Sequence, residues 1–477
     1  MPPSKGATMD WTTFHNIVDG KSRKASSVYH GINPANKQSL WDAPVANQQD
    51  LDDAVRAARR ALPAWSSTPI EERARLLRRY SELCERYEKD IAELLIQESG
   101  KPRMSALEEI RAIQSFARHH TKLRLPVETV EERDRIVTVR YVPLGLVAAI
   151  CPWNFPVILS FGKIAPAMMT GNCIIVKPSP FAPYTALKLV ELAQRIFPHG
   201  VIQALGGDDQ LGPWMTQHPN IDKISFTGSA ATGKKVMEAC SRTLKRVTLE
   251  LGGNDASIVC SDIDVRKVAP QLAMGALRNS GQVCVATKRI YIHESIYDRT
   301  VKAMSEVIKK WKIGPGDEHG ISLGPVQNEG QFEKIKDLFT DSTTSGYRYA
   351  VRGEIKESEG VIVEPIIVDN PLNDSHVIVE EAFGPIVPCQ PWNDEEEVIR
   401  RANDSRSGLG ACVWSQDLNR ARRIASRLEA GSVWINSYEK LSPSAYFSGV
   451  KESGLGGEWG TQGLLAYCNA QTIHEFK

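Results

Sequence analysis

The sequence carries almost no excess of one charge. Its 58 lysines and arginines face 57 aspartates and glutamates, so the formal net charge is +1 at pH 7. Nucleic acids and anionic membranes attract strongly basic surfaces, and a nearly neutral chain gives no bulk electrostatic reason to bind either. We therefore expect neither a nucleic acid nor a membrane among the partners.

Paired cysteines are missing as well. The nine cysteines are an odd number, and no two of them form a CxxC pair. A chain of 477 residues with 42% hydrophobic residues can bury a core without disulfides. The scattered thiols favour a reducing compartment, and we expect no metal site.

Long apolar runs and targeting signals are also missing. The most apolar tract, residues 141–176, contains four prolines and cannot form one membrane-spanning helix. The first ten residues have no apolar stretch and no arginine excess, so we expect neither a secretory nor a transit peptide. Together these absences predict a cytoplasmic protein.

What the chain does show is regular alternation. Residues 1–27 are polar without periodicity and predict a loose arm, whereas apolar spacing predicts helices over 49–64, 69–98 and 104–123. From 171 to 251 predicted strands and helices alternate, which indicates a parallel sheet with crossover helices. Alternation resumes from 252, with one extended run at 361–368, and predicts a second α/β domain.

One cysteine occupies an informative position. Cys284 lies between a predicted helix over 265–277 and a predicted strand over 289–292, with Gly281 permitting a sharp bend before it. A turn exposes a side chain that a helix interior would bury. Most free cysteines are inert core residues, so the neighbouring motifs must decide whether this one reacts.

Two further residues supply that context. Glu250 lies in the strand-like run Val247-Thr-Leu-Glu-Leu-Gly-Gly-Asn254, where a buried carboxylate is costly unless it has a role. Asn154 lies between two prolines that fix its backbone. A cysteine, a carboxylate and a rigid amide form a nucleophile, a base and an oxyanion donor.

The chain resembles the aldehyde dehydrogenase superfamily, of the hydrolytic, non-acylating type. Five motifs occur in the family's order and spacing, and the similarity extends from about residue 28 to the C-terminus. The motifs are Pro152-Trp-Asn-Phe-Pro156, Phe226-Thr-Gly-Ser229, Leu249-Glu-Leu-Gly-Gly-Asn254, Gly281-Gln-Val-Cys284 and Glu380-Glu-Ala-Phe-Gly-Pro385.

The resemblance implies a two-lobed α/β fold. A parallel, Rossmann-like cofactor domain, a second α/β catalytic domain and a small β oligomerisation ribbon are expected. The implied bounds are 1–122 and 145–251 for the cofactor domain, 252–446 for the catalytic domain, 447–461 for a returning linker, and 123–144 with 462–477 for the ribbon.

The ribbon has support from the residues. Residues 127–142 alternate in strand fashion around a charged centre, which predicts a hairpin, and an isolated hairpin is only marginally stable. It either folds onto its own domain or, as the resemblance implies, joins the C-terminal segment 464–476 at an interface between subunits. A homodimer or homotetramer is expected.

The cofactor expected from the resemblance is NAD, with NADP as the alternative. Lys177 ends a predicted buried strand and matches the family lysine that binds the adenosine ribose. Many members that prefer NAD carry a glutamate three residues later, where this chain has Pro180. Its absence removes an acceptor for the ribose 2′-hydroxyl and a repulsion against a 2′-phosphate, so the choice stays open.

Several other residues match cofactor positions. The stretch from Gly228 to Gly233 follows a strand and opens a helix, whose N–H groups can meet a phosphate, although it could equally be an ordinary turn. The resemblance implies that Ser229 contacts the pyrophosphate with Trp153 nearby. The remaining matches are Ser179, Gly228, Gly233, Leu251, Glu381 and Phe383.

The resemblance also implies a substrate tunnel and a second acid. Apolar residues at its tunnel positions favour an apolar or aromatic aldehyde, although apolar residues beside a motif are ordinarily core. Glu458 matches an acidic position that some members use in proton relay, and otherwise it would be a solvated surface residue. The tunnel positions are Phe155, Val283, Val285 and Phe447.

The expected reaction is oxidation of an aldehyde to the carboxylic acid through a thioester on Cys284, which water activated by Glu250 hydrolyses. Three alternatives stay open. A cysteine hydrolase needs a histidine, and the nearest in sequence, His293, lies at the far end of the next predicted strand. A coenzyme-A-acylating semialdehyde dehydrogenase typically lacks the base, and a non-catalytic protein on this fold would lack several of these residues.

Overall fold

The computed structural model describes residues 9–357 and 360–477. The expectation of a loose arm over residues 1–27 is wrong for residues 9–27, and residues 1–8 lie outside the described part. Phe14, Ile17 and Val18 are buried, and Ile17 pairs with Ala204 at the edge of the first sheet. Three apolar residues among polar ones are too few to show a period. The strands here are β1 (Asn16–Val18), β2 (Lys21–Arg23), β3 (Ser27–Ile32) and β4 (Ser39–Val45).

Four helices follow. The predicted helix over 69–98 is two helices, because Tyr87 adopts a non-helical conformation with φ −103° and ψ 21°. The apolar spacing continues across this break and no glycine or proline marks it, so periodicity could not reveal it. The helices are α1 (Gln48–Ser66), α2 (Ile70–Arg86), α3 (Glu88–Ser99) and α4 (Arg103–His120).

The predicted hairpin forms a separate ribbon. Strands β5 (Glu128–Glu131) and β6 (Arg135–Pro143) pair antiparallel, and the last strand of the chain pairs with β6 along its whole length. The ribbon leaves Val127, Val130 and Phe476 exposed. A three-stranded sheet with exposed apolar side chains offers a surface for another molecule.

The first large sheet is parallel at its centre, as predicted. Its central strands stand in the order β9-β8-β7-β10-β11. Successive strands add to one side of β7 and then to the other, so a crevice opens between the ends of β7 and β10. The elements are β7 (Leu146–Ile150), α5 (Pro156–Thr170), β8 (Cys173–Lys177), α6 (Tyr184–Ala193), β9 (Ile202–Ala204), α7 (Leu211–Gln217), β10 (Lys223–Thr227), α8 (Ala230–Ser241) and β11 (Arg246–Glu250).

The second large sheet has seven strands, in the order β14-β17-β18-β13-β12-β20-β21. The extended run at 361–368 is two strands, because Pro365 interrupts it. The elements are β12 (Asp255–Val259), α9 (Val265–Leu277), β13 (Thr287–His293), α10 (Tyr297–Ile308), α11 (Glu329–Thr344), β14 (Arg348–Val351), β15 (Ile355–Glu357), β16 (Val361–Val363), β17 (Ile366–Asp369), α12 (His376–Val379), β18 (Ile386–Trp392), α13 (Glu395–Asn403), β19 (Ser407–Gly408), β20 (Gly410–Trp414), α14 (Leu418–Ala425) and β21 (Ser432–Ile435).

The chain then returns to the first sheet. Leu455 pairs antiparallel with Leu249, so a strand from near the C-terminus becomes the outer strand beside β11. This return brings Glu458 into the first half of the molecule. The elements are β22 (Phe447–Ser448), β23 (Val450–Lys451), β24 (Gly454–Leu455), β25 (Gly457–Glu458), α15 (Gly460–Leu465) and β26 (Cys468–Phe476). None of the described helices combines the length and the apolar character needed to cross a membrane.

Candidate active site

The turn that carries Cys284 is built from unusual backbone. Asn279, Ser280 and Gly281 all have positive φ values, of 53°, 56° and 72°. Gly281 lies against the backbone carbonyl of Gly384, where a Cβ would collide with the oxygen. Cys284 is half-buried on the turn that follows, which confirms the predicted turn.

A buried lysine that the sequence did not single out holds this turn. The ammonium of Lys288 donates hydrogen bonds to the carbonyls of Val283 at 2.9 Å and Cys284 at 2.8 Å. It also lies 3.5 Å from a carboxylate oxygen of Glu381. Because an ammonium has three donors, it can bind several carbonyls of one turn at once. Its only sequence signal was a charge within an apolar stretch.

The thiol of Cys284 is not activated by its surroundings alone. Burial raises its pKa to about 12, and Lys288 opposes that rise while Glu250 adds to it. The thiolate is the nucleophilic form, so the thiol needs a proton acceptor before it attacks.

Asn154 is fixed against the same turn. Its side-chain Nδ2 donates to the carbonyl of Gln282 at 3.1 Å, two residues before Cys284. Its own backbone carbonyl accepts from the buried ammonium of Lys101 at 2.7 Å, and Lys101 is paired with Glu109. The amide is therefore held from two directions beside the nucleophile's turn.

Glu250 ends β11 in a very different environment. Its Oε2 accepts one long hydrogen bond, from the hydroxyl of Thr227 at 3.3 Å, and nothing in the described part of the chain hydrogen-bonds its Oε1. Burial raises the pKa of this carboxyl well above its usual range, Glu458 raises it further, and Lys163 opposes both. A carboxylate of this kind is a strong base once ionised.

Glu458 is buried, so its reading as a solvated surface residue is wrong. The ammonium of Lys163, on α5, pairs with its Oε1, and the hydroxyl of Ser225 donates to the same oxygen at 2.6 Å. Lys163 also lies 3.1 Å from Ser225. Lys163 was not predicted, because one lysine in an apolar helix gives no spacing signal.

Lys177 lies at the carboxyl end of β8, as predicted. Its buried ammonium has one weak acceptor, the carbonyl of Pro178 at 3.5 Å. Burial lowers its pKa, while Asp209 and Asp208 oppose the change. Ser179 follows in a tight turn and accepts from the N–H of Phe181 at 3.3 Å. A buried cation with so little compensation fits a hydroxyl or phosphate ligand.

The predicted phosphate turn lies at the neighbouring end of β10. Ser229 is the N-cap of α8 and accepts from the N–H of Thr232 at 3.3 Å. A Cβ at Gly233 would lie 2.5 Å from Leu251, so the helix packs closely on the strand end. Gly228 donates its N–H to the Glu250 carbonyl at 3.0 Å. The N-terminus of α8, together with Lys177, fits a dinucleotide phosphate.

Two distant motifs meet at this crevice. The rings of Trp153 and Phe383 are in edge contact, with centroids 5.4 Å apart. Glu381 accepts a hydrogen bond from the N–H of Gly253 at 3.1 Å. Gly253 belongs to the glycine pair that lies shortly after Glu250. The structure thus brings the residues at 380–385 against both the asparagine motif and the glutamate motif.

Of the four predicted tunnel residues, Val283, Val285 and Phe447 belong to one apolar cluster, against which Phe155 and Cys284 pack. Val283 and Val285 are almost fully buried and serve as core. Phe155 is half-buried. Phe447 stacks on Trp459 and lines a cavity of ≈ 220 Å³ together with Trp434, Lys440 and Tyr446.

Within residues 9–357 and 360–477, no group of three histidine, cysteine, aspartate or glutamate side chains is placed to hold a metal ion. His293 hydrogen-bonds Ser295 through Nδ1 at 2.9 Å, at the far end of β13. Its position gives no support to a cysteine hydrolase.

Comparison with known proteins agrees with this geometry. The sequence model of the Aldehyde dehydrogenase family matches residues 21–473. Aldehyde dehydrogenase LUC3 from Fusarium sp is 44% identical over 471 residues, which cover 98% of this chain and 100% of the relative.

Solved structures share the fold. An NADP dependent enzyme of E. coli superimposes with a TM-score of 0.94 at 33% identity, covering 98% of this chain and 99% of that one. The NAD+ complex of an aldehyde dehydrogenase from Bacillus cereus gives 0.93 at 32% identity, covering 97% and 96%. The chain therefore belongs to the aldehyde dehydrogenase family and oxidises an aldehyde to the carboxylic acid with reduction of NAD(P).

Proposed function

We propose that Cys284 is the nucleophile, Asn154 the oxyanion donor and Glu250 the general base of a hydrolytic aldehyde oxidation. The observation that carries the proposal is the state of Glu250. It is buried, its Oε1 lacks a hydrogen bond from the described residues, and its charge raises the pKa of the Cys284 thiol. A buried base whose charge acts on a half-buried thiol suits proton removal.

The first step forms a carbon–sulfur bond. Glu250 accepts the proton of the Cys284 thiol, directly or through a water molecule. The sulfur then attacks the aldehyde carbon. The oxygen becomes an oxyanion held by the Asn154 amide and the Cys284 N–H. NAD(P), held by the cofactor residues named below, would supply the acceptor for the hydride that leaves this carbon, and loss of the hydride would leave a thioester on Cys284.

The second step releases the acid. Glu250 removes a proton from water, the resulting hydroxide attacks the thioester, and the carbon–sulfur bond breaks to give the carboxylic acid and the Cys284 thiolate. Glu458 lies close enough to raise the pKa of Glu250 and is paired with Lys163. We assign this pair to relaying the proton that Glu250 takes up.

The cofactor residues follow the same assignment. Lys177 and Ser179 would hold the adenosine ribose, while Glu381 and Phe383 would hold the nicotinamide side. The pyrophosphate would lie at the N-terminus of α8. Pro180 leaves NAD and NADP both open, and we propose NAD as the preferred cofactor. The residues assigned to the pyrophosphate are Trp153, Gly228, Ser229, Gly233 and Leu251.

The substrate we propose is an apolar or aromatic aldehyde that reaches Cys284 past Phe155 and Phe447, with Val283 and Val285 behind them. A panel of aliphatic, aromatic and semialdehyde substrates with each cofactor, followed by the absorbance of the reduced cofactor, tests this. Activity on a medium-chain or aromatic aldehyde is expected, and no activity across the panel would contradict the proposal.

The mechanism has a direct test in Glu250→Gln. This change keeps the size of the side chain but removes the base, so turnover should fall by about 10²–10⁴. If hydrolysis is the blocked step, a thioester should accumulate as added mass on the Cys284 peptide. Unchanged turnover would contradict the assignment, and turnover restored only by coenzyme A would favour acyl transfer.

We also propose a homodimer or homotetramer that associates through the ribbon at 123–144 and 462–477. The cofactor domain would be 1–122 and 145–251 and the catalytic domain 252–446, with 447–461 returning between them. The exposed Val130 and Phe476 support an interface. Deleting residues 131–134 should yield monomers in sedimentation, and an unchanged mass would contradict the proposed interface.

We propose a cytoplasmic location. All nine cysteines are free thiols, which supports it.

A further inference from the structure

An ion pair beside the nucleophile's turn has no part in the chemistry above. Arg278 begins the turn that leads to Cys284, and its Nε lies 3.4 Å from Oε1 of Glu439. The Glu439 side chain is fully buried, whereas Arg278 keeps 32% of its side-chain surface exposed. The pair thus combines a hidden anion with a cation that a ligand can reach.

Arg278 is placed where an incoming aldehyde would pass. Its guanidinium carbon lies 5.8 Å from the ring centre of Phe155, the residue that follows Asn154. The ammonium of Lys101 also lies over the Phe155 ring, but it is fully buried and already paired with Glu109. Arg278 is therefore the accessible cation on this wall.

Glu439 lies close to Arg278 because of the way its loop packs on α9. Gly275 lies one turn earlier on α9, and a Cβ there would come within 2.6 Å of Tyr438. Because Gly275 has no side chain, the loop after β21 can pack against α9. This packing brings Glu439 to the end of that helix. Burial raises the pKa of Glu439 to about 7, and Arg278 opposes the rise. Above that pKa, the two charges cancel.

We infer that the charge of Glu439 offsets that of Arg278, so that the enzyme discriminates against aldehydes that carry a carboxylate and takes uncharged ones. Glu439 approaches Arg278 only at Nε, with no hydrogen bond between them among the described residues, so its effect is electrostatic. An arginine whose charge is not offset binds carboxylates strongly, whereas with Glu439 present a second carboxylate meets a like charge close to the guanidinium. The inference rests on the proposed function, because it takes Phe155 and Cys284 as the substrate's path.

The test compares two four-carbon aldehydes, succinate semialdehyde and butanal, assayed above the pKa of Glu439. The Glu439→Gln variant keeps the side-chain shape and frees Arg278. Its kcat/KM ratio for succinate semialdehyde over butanal should rise about tenfold or more, the size of one charge-assisted hydrogen bond. Glu396→Gln is the matched control, since Glu396 pairs with surface Arg427 at 2.5 Å and its loss should leave the ratio unchanged.

Two further measurements separate the outcomes. Adding Arg278→Gln to the Glu439→Gln variant should remove the gain, which a general loosening of the loop would not do. Succinate, used as a competitive inhibitor, should bind the wild-type protein weakly, a readout that holds even if a variant fails to fold. Strong succinate inhibition of the wild type, or an unchanged ratio in folded Glu439→Gln, would overturn the inference. A wild type inactive on every aldehyde would instead refute the proposed function.

Discussion

The turn that carries Cys284 and the strand end that carries Glu250 are built in opposite ways. The turn is held by many directed bonds: Lys288 binds its carbonyls, and Asn154 binds Gln282. The carboxylate of Glu250 has one long hydrogen bond and a high pKa. The proposed nucleophile is therefore held in position, whereas the proposed base keeps free capacity to bind water and protons.

This difference has a physical reason. The sulfur must meet a carbonyl carbon within a few tenths of an ångström, and a small misplacement costs a large factor in rate. A base that deprotonates first a thiol and then water benefits from unfilled hydrogen-bonding capacity. Substitutions on the turn should therefore affect geometry, and substitutions around Glu250 should affect proton transfer.

Removing the nucleophile should have the largest effect. Cys284→Ala leaves no atom to form the carbon–sulfur bond, so no reduced cofactor should appear at any substrate concentration. Binding of NAD, followed by calorimetry, should persist because the residues proposed to hold the cofactor are intact. Residual single-turnover reduction would show that another group attacks the aldehyde.

The thiol's reactivity should depend steeply on pH. Because burial raises the pKa of Cys284 to about 12, the thiolate fraction grows as pH rises towards that value. Alkylation of the Cys284 peptide by iodoacetamide should therefore accelerate by about tenfold per pH unit between 7 and 10. A plateau near pH 7 would contradict the placement of the thiol.

Loss of the oxyanion donor should come next. Asn154→Ala removes the amide from the developing charge and should reduce kcat by about 10²–10³. Asn279→Gly is the control, because Asn279 donates to the same Gln282 carbonyl at 3.2 Å but has no proposed contact with the oxyanion. Glycine also suits its positive φ. Equal losses in the two variants would mean that Asn154 only anchors the turn.

Loosening the turn should have a smaller but distinct effect. Lys288→Met preserves length and removes the bonds to the Val283 and Cys284 carbonyls, so kcat should fall by roughly 10²-fold through misplacement of the sulfur. Lys288 also lowers the pKa of the Cys284 thiol, so in the variant iodoacetamide alkylation should be slower at a given pH and should recover as the pH is raised. Alkylation that does not recover at higher pH would point to burial of the thiol instead.

The sequence singled out the residues of the proposed site but not the residues that support them. Cys284, Glu250 and Asn154 stand in motifs with turns and prolines around them, and the parallel strands show in their alternation. Lys288, Lys163 and the Arg278–Glu439 pair are single charged residues, and their roles arise only when distant segments meet. The break at Tyr87 escaped because no glycine or proline marks the end of α2 in the sequence.

The strand at Gly454–Leu455 bears on how the protein is made. The first large sheet begins with Asn16 and is completed by a strand that is synthesised only after the first 453 residues. Until then the outer side of β11 is an unpaired edge, the kind of surface that promotes aggregation. Glu458, which supplies the partner of Lys163, arrives with the same segment. The first half therefore cannot complete its folding until this segment is made, and a nascent chain that reaches only residue 453 would hold both an open sheet edge at β11 and a Lys163 without its carboxylate partner.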